Sequence, residues 1–286
     1  MTTPIAREHP RGLVILGHPV AHSRSPVFQG AALDAANLPQ RYERVDTPPD
    51  RLDDALRRCA AERWGGNVTV PLKELVAARC TRLSDVAKRA GAVNTFWFDG
   101  EALVGHNTDV DGVNATIDAL CPHGLHGPVV LLGAGGSAAA VLVALTQQRD
   151  AELSIIARTP ERAEALLTRV GARGVVRTDN DSEIGELLQS ASLVINATSI
   201  GMRDDDLPVA VERLGARTAV YDLVYRDLGT AWTRAAKARG LRAEDGLRML
   251  VEQGAASFRC WFDMEPSRVV MWKSLGQGGP PQHGPT

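Results

Sequence analysis

The sequence has little net charge and few cysteines, and both shortages narrow what the protein can be. It has 32 Lys and Arg against 34 Asp and Glu, so its formal net charge is -2. Such a chain has no strong positive field for a phosphodiester backbone, and we expect no nucleic-acid partner. The four cysteines are widely spaced and form no C-x-x-C pair, which predicts free thiols rather than a zinc knuckle or a disulfide scaffold. They are Cys59, Cys80, Cys121 and Cys260.

Long hydrophobic runs and internal repeats are also missing. No segment approaches the roughly 18 apolar residues of a membrane span, and the first residues, MTTPIAREHPRG, hold no apolar core of a secretion signal. The absence of a fixed period excludes a solenoid or a propeller. No heptad pattern indicates an interface. We therefore expect a cytoplasmic protein with no membrane partner, either a monomer or a homodimer. The final GQGGPPQHGPT predicts a disordered tail.

The chain shows instead a regular alternation of strand and helix signals. Its 286 residues suit two domains, with ligands expected in a cleft between them. The alternation predicts an α/β fold with parallel strands and crossover helices. We assign residues 1–108 to an α/β substrate domain and 109–244 to a Rossmann-type, doubly wound dinucleotide-binding domain. Residues 245–286 are expected to return to the first domain.

Local sequence signals predict some boundaries of helices and strands in the first half of the chain. Ser25 precedes Pro26 as an N-cap precedes the first helical position, which predicts a helix over 25–37. The strand NVTV is expected to lead into a helix that starts at Pro71. The pair Asp99-Gly100 predicts a hairpin turn, because it adopts the positive φ angles that a tight turn requires.

In the second half, VVLL, ELSIIA, SLVINA and TAVYDLV indicate short buried strands separated by helices. The preceding loop holds His123 and His126, but no cysteine or carboxylate with ligand spacing accompanies them, so we expect no metal site. An apolar stripe near the chain's end predicts a helix that packs on the first domain. It comprises Leu247, Leu250, Val251, Phe258 and Phe262.

A glycine-rich turn stands between the strand VVLL and its helix. Gly133, Gly135 and Ala138 fit the G-x-G-x-x-G/A spacing of a dinucleotide-binding turn. Gly133 permits the tight turn, Gly135 lets backbone amides approach a pyrophosphate, and Ala138 lets the helix lie close to the strand. A turn used only for packing is the alternative, but the strand-turn-helix setting favours nucleotide binding.

The residues after the next strand indicate which dinucleotide is bound. An acidic residue normally holds the ribose hydroxyls of NAD about 20 positions after the glycine turn. Here Arg158 and Thr159 stand at that place, and Arg162 follows one turn later. Guanidinium groups favour a 2′-phosphate, so we predict NADP, unless the two arginines are merely surface residues.

Polar side chains also gather at strand exits and helix starts of the first domain. Ser23 and Ser25 follow the first strand, where two hydroxyls beside a helix N-terminus suit a carboxylate, although helix capping explains them too. Asn67, Thr69 and Asn94 occupy similar places near later strands. These groups predict a binding site for a polyol.

Lys73 and Asp109 are the candidates for proton transfer. A hydride-transfer cofactor supplies the electron pair, so the protein must orient the substrate and move a proton. A lysine just past a strand, opposite an aspartate at the domain junction, could do this, with Asp109 holding the ammonium in place. A surface salt bridge is the alternative, but it would not require the polar residues beside Lys73.

A series of motifs extends over nearly the whole chain: GHPVAHSRSP, GGNVTVPLK, GAVNT, GHNTDVDG, GAGGSA, ARTPERA, NATSIGM, DLVY and GLRMLVEQGAASFRCW. In this order they resemble the shikimate dehydrogenase family. The resemblance implies reduction of 3-dehydroshikimate to shikimate with NADPH, in aromatic amino-acid biosynthesis. It also implies a catalytic domain built from both chain ends, with a Rossmann-type domain between them.

The resemblance also implies residue roles. Lys73 and Asp109 would be the catalytic dyad, and Ser23 and Ser25 would hold the substrate carboxylate. Further substrate contacts, or residues that shape the pocket, would be Asn67, Thr69, Asn94, Tyr225 and Gln253. The cofactor residues would be Gly133, Ala134, Gly135, Gly136, Ser137, Ala138, Arg158, Thr159, Arg162, Thr198, Met202, Leu223 and Gly246.

The chain departs from the family pattern at three places. Gln29-Gly30 stands where His-Asn is frequent, Tyr225-Arg226-Asp227 replaces Tyr-Asn-Pro, and Ala157 replaces an Asn before the Arg-Thr pair. The first two leave open a quinate or aminoshikimate dehydrogenase. A non-catalytic ligand sensor is the alternative from another class, although the presence of both Lys73 and Asp109 argues against it.

Overall fold

The computed structural model describes residues 8–147 and 152–279. Residues 1–7, residues 148–150 at the end of the predicted helix SAAAVLVALTQQRD, and residues 280–286 of the predicted tail lie outside the described residues. The chain divides into two compact units. The first runs to Thr108 and resumes at Val251, and the second is Asp109–Leu250. The predicted return point, residue 245, falls in the second unit, one residue before a long helix begins at Gly246.

The first unit contains, in chain order, β1 (Leu13–Gly17), α1 (Ser25–Ala35), β2 (Tyr42–Asp46), α2 (Leu52–Glu62), β3 (Gly65–Val68), α3 (Lys73–Ala77), β4 (Arg82–Leu83), α4 (Asp85–Ala90), β5 (Thr95–Asp99) and β6 (Ala102–His106). Its sheet has the order β2-β1-β3-β5-β6-β4. β1 is parallel to β2 and β3, whereas β5 runs antiparallel to both β3 and β6. The carboxyl ends of β1, β3 and β6 therefore meet the amino end of β5 at one edge of this sheet.

Three local predictions for this unit can be compared with the structure. The hairpin at Asp99-Gly100 is confirmed, because Asp99 pairs with Ala102 and Gly100 has a φ of +60°. The predicted helix start at Pro71 is wrong: α3 begins at Lys73, after a turn in which Leu72 donates to the carbonyl of Thr69 at 2.9 Å.

The prediction that Ser25 caps α1 is also wrong. Ser25 is the first helical residue, and Arg24 occupies the N-cap position without a side-chain cap. The backbone N–H of Ser25 donates to the hydroxyl of Ser23 at 3.3 Å. Ser23 thus provides an acceptor for the first N–H group of the helix.

The second unit contains α5 (Asp109–Leu120), β7 (Val129–Leu132), α6 (Gly136–Gln147), β8 (Leu153–Ile156), α7 (Pro160–Val170), β9 (Val175–Arg177), α8 (Ile184–Ser190), β10 (Leu193–Asn196), β11 (Ala219–Asp222), α9 (Ala231–Ala238) and β12 (Ala243–Glu244). All pairings in its sheet are parallel, with the order β12-β11-β10-β7-β8-β9. The strands proceed in both directions from β7, which is the doubly wound order of a Rossmann fold. The predicted α/β class and Rossmann-type sheet are confirmed.

Two further helices of the described residues follow β12: α10 (Gly246–Phe262) and α11 (Arg268–Ser274). From Val251 onwards α10 belongs to the first unit, and there Val251, Phe258 and Phe262 are buried. The indole nitrogen of Trp261 donates to the carbonyl of Phe96 in β5 at 3.2 Å. The apolar stripe thus marks a helix that completes the core of the first unit, as its spacing predicts.

Some expected features can be checked over the described part of the chain. There, no helix has the length and apolarity that a bilayer crossing would need. The four cysteines are free thiols. Within residues 8–147 and 152–279, no cluster of three His, Cys, Asp or Glu side chains could hold a metal ion. The ring of His126 is hydrogen-bonded to the carbonyl oxygen of His123 at 2.6 Å.

Candidate active site

The common edge of the first sheet gathers most of the predicted substrate residues. Thr69 follows β3, and its backbone N–H donates to Leu16 of β1 at 2.8 Å, so the two strand exits are bonded to each other. Lys73 begins α3, and its carbonyl accepts from the N–H of Val93 at 2.9 Å. This bond holds the lysine backbone beside Asn94. Ser23 is fixed near the same strand exits by Arg44, whose guanidinium donates to the Ser23 carbonyl at 2.6 and 3.0 Å.

A buried polar network lies behind this edge, centred on Asn67. Its amide nitrogen donates to the Asn94 carbonyl at 3.0 Å and to the hydroxyls of Thr95 and Ser257 at 3.1 and 2.9 Å. Its amide oxygen accepts from the Tyr42 hydroxyl at 2.7 Å. Burial raises the pKa of the Tyr42 phenol, which keeps it protonated as a donor. Asn67 is thus extensively bonded within the first unit, an arrangement suited to holding the strand exits in register.

Asn94 connects the network to the end of β6 and to α10. Its amide oxygen accepts from the Thr108 backbone N–H at 2.7 Å, and its amide nitrogen donates to the Thr108 hydroxyl at 2.9 Å. The same nitrogen donates to the side-chain oxygen of Gln253 at 3.2 Å. The structure therefore brings Asn67, Asn94 and Gln253 together. Sequence reasoning missed Thr95, Thr108 and Ser257, which connect them, and Tyr42, which donates to Asn67.

Asp109 and Tyr225 are the predicted residues of this set that belong to the second unit. Asp109 directly follows Thr108, begins α5 and is largely buried. Tyr225 is half-buried and follows β11. Asn94 is therefore hydrogen-bonded to Thr108, the residue that directly precedes Asp109.

The glycine turn of the second unit has the shape that a phosphate-binding turn needs. Gly133 has a φ of +94°, and a Cβ there would lie 2.9 Å from the Thr198 methyl group. In contrast, a Cβ at Gly135 would meet nothing closer than the Ala197 carbonyl oxygen at 4.0 Å, and one at Gly136 would meet nothing within 4 Å. The turn is therefore closed on the Gly133 side and open at the start of α6, where a pyrophosphate fits against helix N–H groups.

A cavity of about 600 Å³ opens beside this turn, entirely within the second unit. The predicted cofactor residues that line it are Gly133, Ala134, Gly135, Arg158, Thr159, Arg162 and Thr198. Its rim also includes Arg213 and Asp179, which the sequence motifs do not indicate. Three guanidinium groups against one carboxylate give the cavity the charge that a phosphorylated ribose requires, so these residues fit NADP.

The remaining predicted cofactor residues do not line the cavity. Ala138 is fully buried in α6, whereas Gly136 and Ser137 are exposed beside the turn. Met202 is about half exposed, at 54%. Leu223 and Gly246 contact each other, because a Cβ at Gly246 would overlap the Leu223 carbonyl.

The three departures from the family pattern have different structural settings. Gln29 is fully buried, and its amide donates to the carbonyl of Gly254, the residue after Gln253, at 2.9 Å. Arg226 pairs with Asp205 at 3.0 Å, so the acidic loop after Met202 is partly neutralised. Ala157 is buried at the end of β8, where its N–H donates to the backbone carbonyl of Arg177 at 3.0 Å.

Comparisons with known proteins agree with these features. Residues 15–96 match the model of the shikimate dehydrogenase substrate binding domain, residues 124–202 that of shikimate / quinate 5-dehydrogenase, and residues 246–275 that of the shikimate 5'-dehydrogenase C-terminal domain. Each match covers a separate part of the chain, and together they extend over both units.

Individual relatives cover nearly the whole chain. A shikimate dehydrogenase (NADP(+)) of Mesorhizobium japonicum is 39% identical over 91% of this chain and 94% of its own length. One of Thermus thermophilus is 41% identical over 88% of this chain and 92% of its own. A crystal structure of a shikimate 5-dehydrogenase from Thermus thermophilus, in complex with NADP(H) and shikimate, aligns with a TM-score of 0.81 at 39% identity, covering 93% of this chain and 98% of that one. The chain therefore belongs to the shikimate dehydrogenase family.

Proposed function

We propose that this protein catalyses the reversible, NADP-dependent interconversion of 3-dehydroshikimate and shikimate. The observation that carries the proposal is the arginine-lined cavity beside an open glycine turn, in a chain whose relatives are named shikimate dehydrogenase (NADP(+)). The four free thiols fit a cytoplasmic setting, in which we expect a monomer or a homodimer.

The cofactor would lie along the carboxyl edge of the second sheet. Helix N–H groups at the open end of the glycine turn would bind its pyrophosphate, and Arg158 and Arg162 would bind its 2′-phosphate. When bound, NADPH supplies the hydride. The chain's own residues then have to orient the ring and move one proton.

Lys73 would give that proton to the oxygen of the ring ketone as it becomes an alkoxide, and would remove it in the reverse direction. Asp109 would hold the ammonium in place. Ser23 and Ser25 would bind the substrate carboxylate near the start of α1, while Asn94, Gln253, Thr69 and Tyr225 would contact ring hydroxyls or shape the pocket. The internal bonds of Asn67 favour a pocket-shaping role for that residue.

An assay of the purified protein tests the activity directly. Shikimate, quinate and aminoshikimate are each supplied with NADP⁺ or NAD⁺, and formation of the reduced cofactor is followed by its near-ultraviolet absorbance. The highest kcat/KM is expected for shikimate with NADP⁺. A higher value for quinate or aminoshikimate would reassign the substrate. No turnover despite measurable ligand binding would indicate a sensor instead of an enzyme.

The variant Lys73→Met tests the dyad. Removing a general acid should lower kcat by about 10² to 10⁴ while the dissociation constant for shikimate changes little. Lys88→Met, at an exposed lysine of α4 that pairs with Asp85, is the matched control and should behave as wild type. A Lys73→Met enzyme with nearly full kcat would refute the assignment of Lys73.

A further inference from the structure

A fully buried carboxylate, Asp222, ends β11 and lies outside the cavity lining. It accepts hydrogen bonds from the side-chain amide of Asn196 at 2.8 Å, the N–H of Val224 at 3.1 Å and the hydroxyl of Thr230 at 2.8 Å. All three partners act as donors, which suits an ionised carboxylate. Burying such a group is unfavourable unless its hydrogen bonds serve the structure or a site.

Asn196 relays this arrangement towards the cofactor cavity. It is fully buried at the end of β10, which pairs with β7, so it lies where the strand order reverses. Because a carboxylate only accepts, Asn196 must direct its amide nitrogen to Asp222 and its amide oxygen away from it. That oxygen accepts from both the N–H and the hydroxyl of Thr198, at 3.0 and 2.6 Å.

Thr198 then presents its methyl group to the glycine turn. Its hydroxyl donates to Asn196 and accepts from the N–H of Ile200 at 3.1 Å. The methyl group lies against Gly133, where a Cβ would come within 2.9 Å of it. The whole segment from Ala197 to Ile200 lines the cavity. The orientation of the Asn196 amide therefore affects the position of the segment 197–200, which forms one wall of the cavity.

We propose that Asp222 is a positioning residue for cofactor binding, which orients the Asn196 amide and so holds Ala197–Ile200 against the glycine turn. This inference rests on the proposed function, because it takes the cavity to be the NADP site. Asp222 does not line the cavity; it acts through Asn196 and Thr198.

Two variants and a matched control separate positioning from general stability. Asp222→Ala removes the acceptor, whereas Asp222→Asn can keep an oxygen towards Asn196 and Val224 and turn its nitrogen to Thr230, whose hydroxyl can accept. The control is Thr218→Ala, at the other end of β11, where a buried hydroxyl donates to the Ala191 carbonyl at 2.8 Å. The dissociation constant for NADPH is measured by fluorescence titration and the unfolding midpoint by urea, at a temperature where all variants are folded.

We expect Asp222→Ala to raise the dissociation constant for NADPH about tenfold or more, because the hydrogen bond from Asn196 to a charged group is lost. Asp222→Asn should raise it by no more than about threefold, and the KM for NADPH should change more than kcat. Thr218→Ala should lower the unfolding midpoint and leave NADPH affinity unchanged. An Asp222→Ala protein that binds NADPH as wild type does, or a Thr218→Ala protein that loses as much affinity, would overturn the inference.

A pH series gives a second test that needs only Asp222→Asn. Burial raises the pKa of Asp222 to about 6, and the nearby charge of Asp245 acts in the same direction. The adjacent Glu244 is paired with Arg248 at 2.9 Å. Protonated Asp222, like the amide of Asn, has one oxygen that only accepts and one group that can donate. The NADPH affinities of wild type and Asp222→Asn should therefore converge as pH falls from about 7.5 to about 5, and titration of the cofactor phosphate affects both equally.

A wild-type protein that binds NADPH more tightly than Asp222→Asn at about pH 7.5 and keeps the same advantage at about pH 5 would overturn the inference. Wild-type protein that binds no NADPH at all would overturn both the inference and the proposed function. Wild-type binding together with unaffected Asp222 variants would overturn the inference alone.

Discussion

The side-chain amide of Asn67 donates to the hydroxyl of Ser257 at 2.9 Å, although 190 positions separate them in the chain. The same hydroxyl lies 2.8 Å from that of Thr95 and 3.0 Å from that of Thr108. α10 therefore does more than cover the first sheet with apolar side chains. It supplies a polar group at the point where β3, β5 and the segment after β6 converge.

Ser257→Ala should destabilise the first unit without changing its packing volume much. Loss of the shared hydroxyl leaves buried donors with fewer acceptors, which should lower the free energy of unfolding by about 1–2 kcal/mol. Urea unfolding followed by tryptophan fluorescence measures the change. Thr81→Ala, at an exposed residue whose hydroxyl donates to the Leu103 carbonyl at 3.1 Å, is the control and should lose less. Equal losses would mean that the Ser257 network adds nothing beyond an ordinary hydrogen bond.

The sequence predicts best where a local pattern alone determines the structure. The strand-turn-helix around Gly133, the hairpin at Asp99-Gly100 and the apolar stripe of α10 are patterns of neighbouring residues, and the structure forms all three. The boundaries of helices are less predictable from the sequence. The turn from Thr69 to Leu72 makes α3 begin at Lys73, two residues after the predicted start at Pro71.

Features that depend on contacts between distant segments are not predicted by the sequence. β4, β9 and β12 have only two or three residues each, too few for a periodic signal, and exist because a neighbouring strand pairs with them. Arg213 lies far along the chain from the glycine turn, and only the fold brings it to the same cavity. Asp222 belongs to a recognised motif, yet its bonds to Asn196 and Thr230 are tertiary.

Two glycines of the phosphate turn should respond differently to alanine. Gly133→Ala places a methyl group at a φ of +94° and 2.9 Å from Thr198, so we expect a loss of about 1–3 kcal/mol in unfolding free energy together with weaker NADPH binding. At Gly135 the nearest atom would be 4.0 Å away, so Gly135→Ala should fold like wild type. Its methyl group would nevertheless occupy the space left for a phosphate, and NADPH affinity should fall at least tenfold. Urea unfolding and NADPH titration of both variants check this, and normal cofactor affinity in Gly135→Ala would contradict the phosphate-turn assignment.

Arg213 should contribute to the preference for NADP over NAD. It is exposed at the cavity rim together with Arg158 and Arg162. A solvent-screened charge near a phosphate contributes up to about 1 kcal/mol, so Arg213→Ala should raise the KM for NADPH by up to about fivefold and leave the KM for NADH nearly unchanged. The difference should shrink as salt is added. Arg217→Ala, at another exposed arginine of the same unit that does not line the cavity, is the control. Equal changes in the KM values for NADPH and NADH would show that Arg213 does not interact with the 2′-phosphate.

The buried carboxylate of Asp222 should make stability depend on pH in a direction opposite to that of a salt-bridged acid. Its pKa of about 6 in the folded protein lies above the ordinary 3.8, so between these values the folded state binds the proton and the unfolded chain does not. Ionisation therefore lowers the free energy of unfolding as pH rises from about 4 to about 6, by about 3 kcal/mol.

Asp222→Asn removes this dependence. Relative to wild type, its free energy of unfolding should increase by about 3 kcal/mol between about pH 4 and about pH 7, whereas Thr218→Ala should stay parallel to wild type. Urea unfolding at a series of pH values measures the difference, and parallel curves for Asp222→Asn would show that the carboxylate does not titrate in this range. If Asp222→Asn is relatively more stable near neutral pH and still binds NADPH more weakly, the ionised carboxylate serves the cofactor cavity at the expense of the fold.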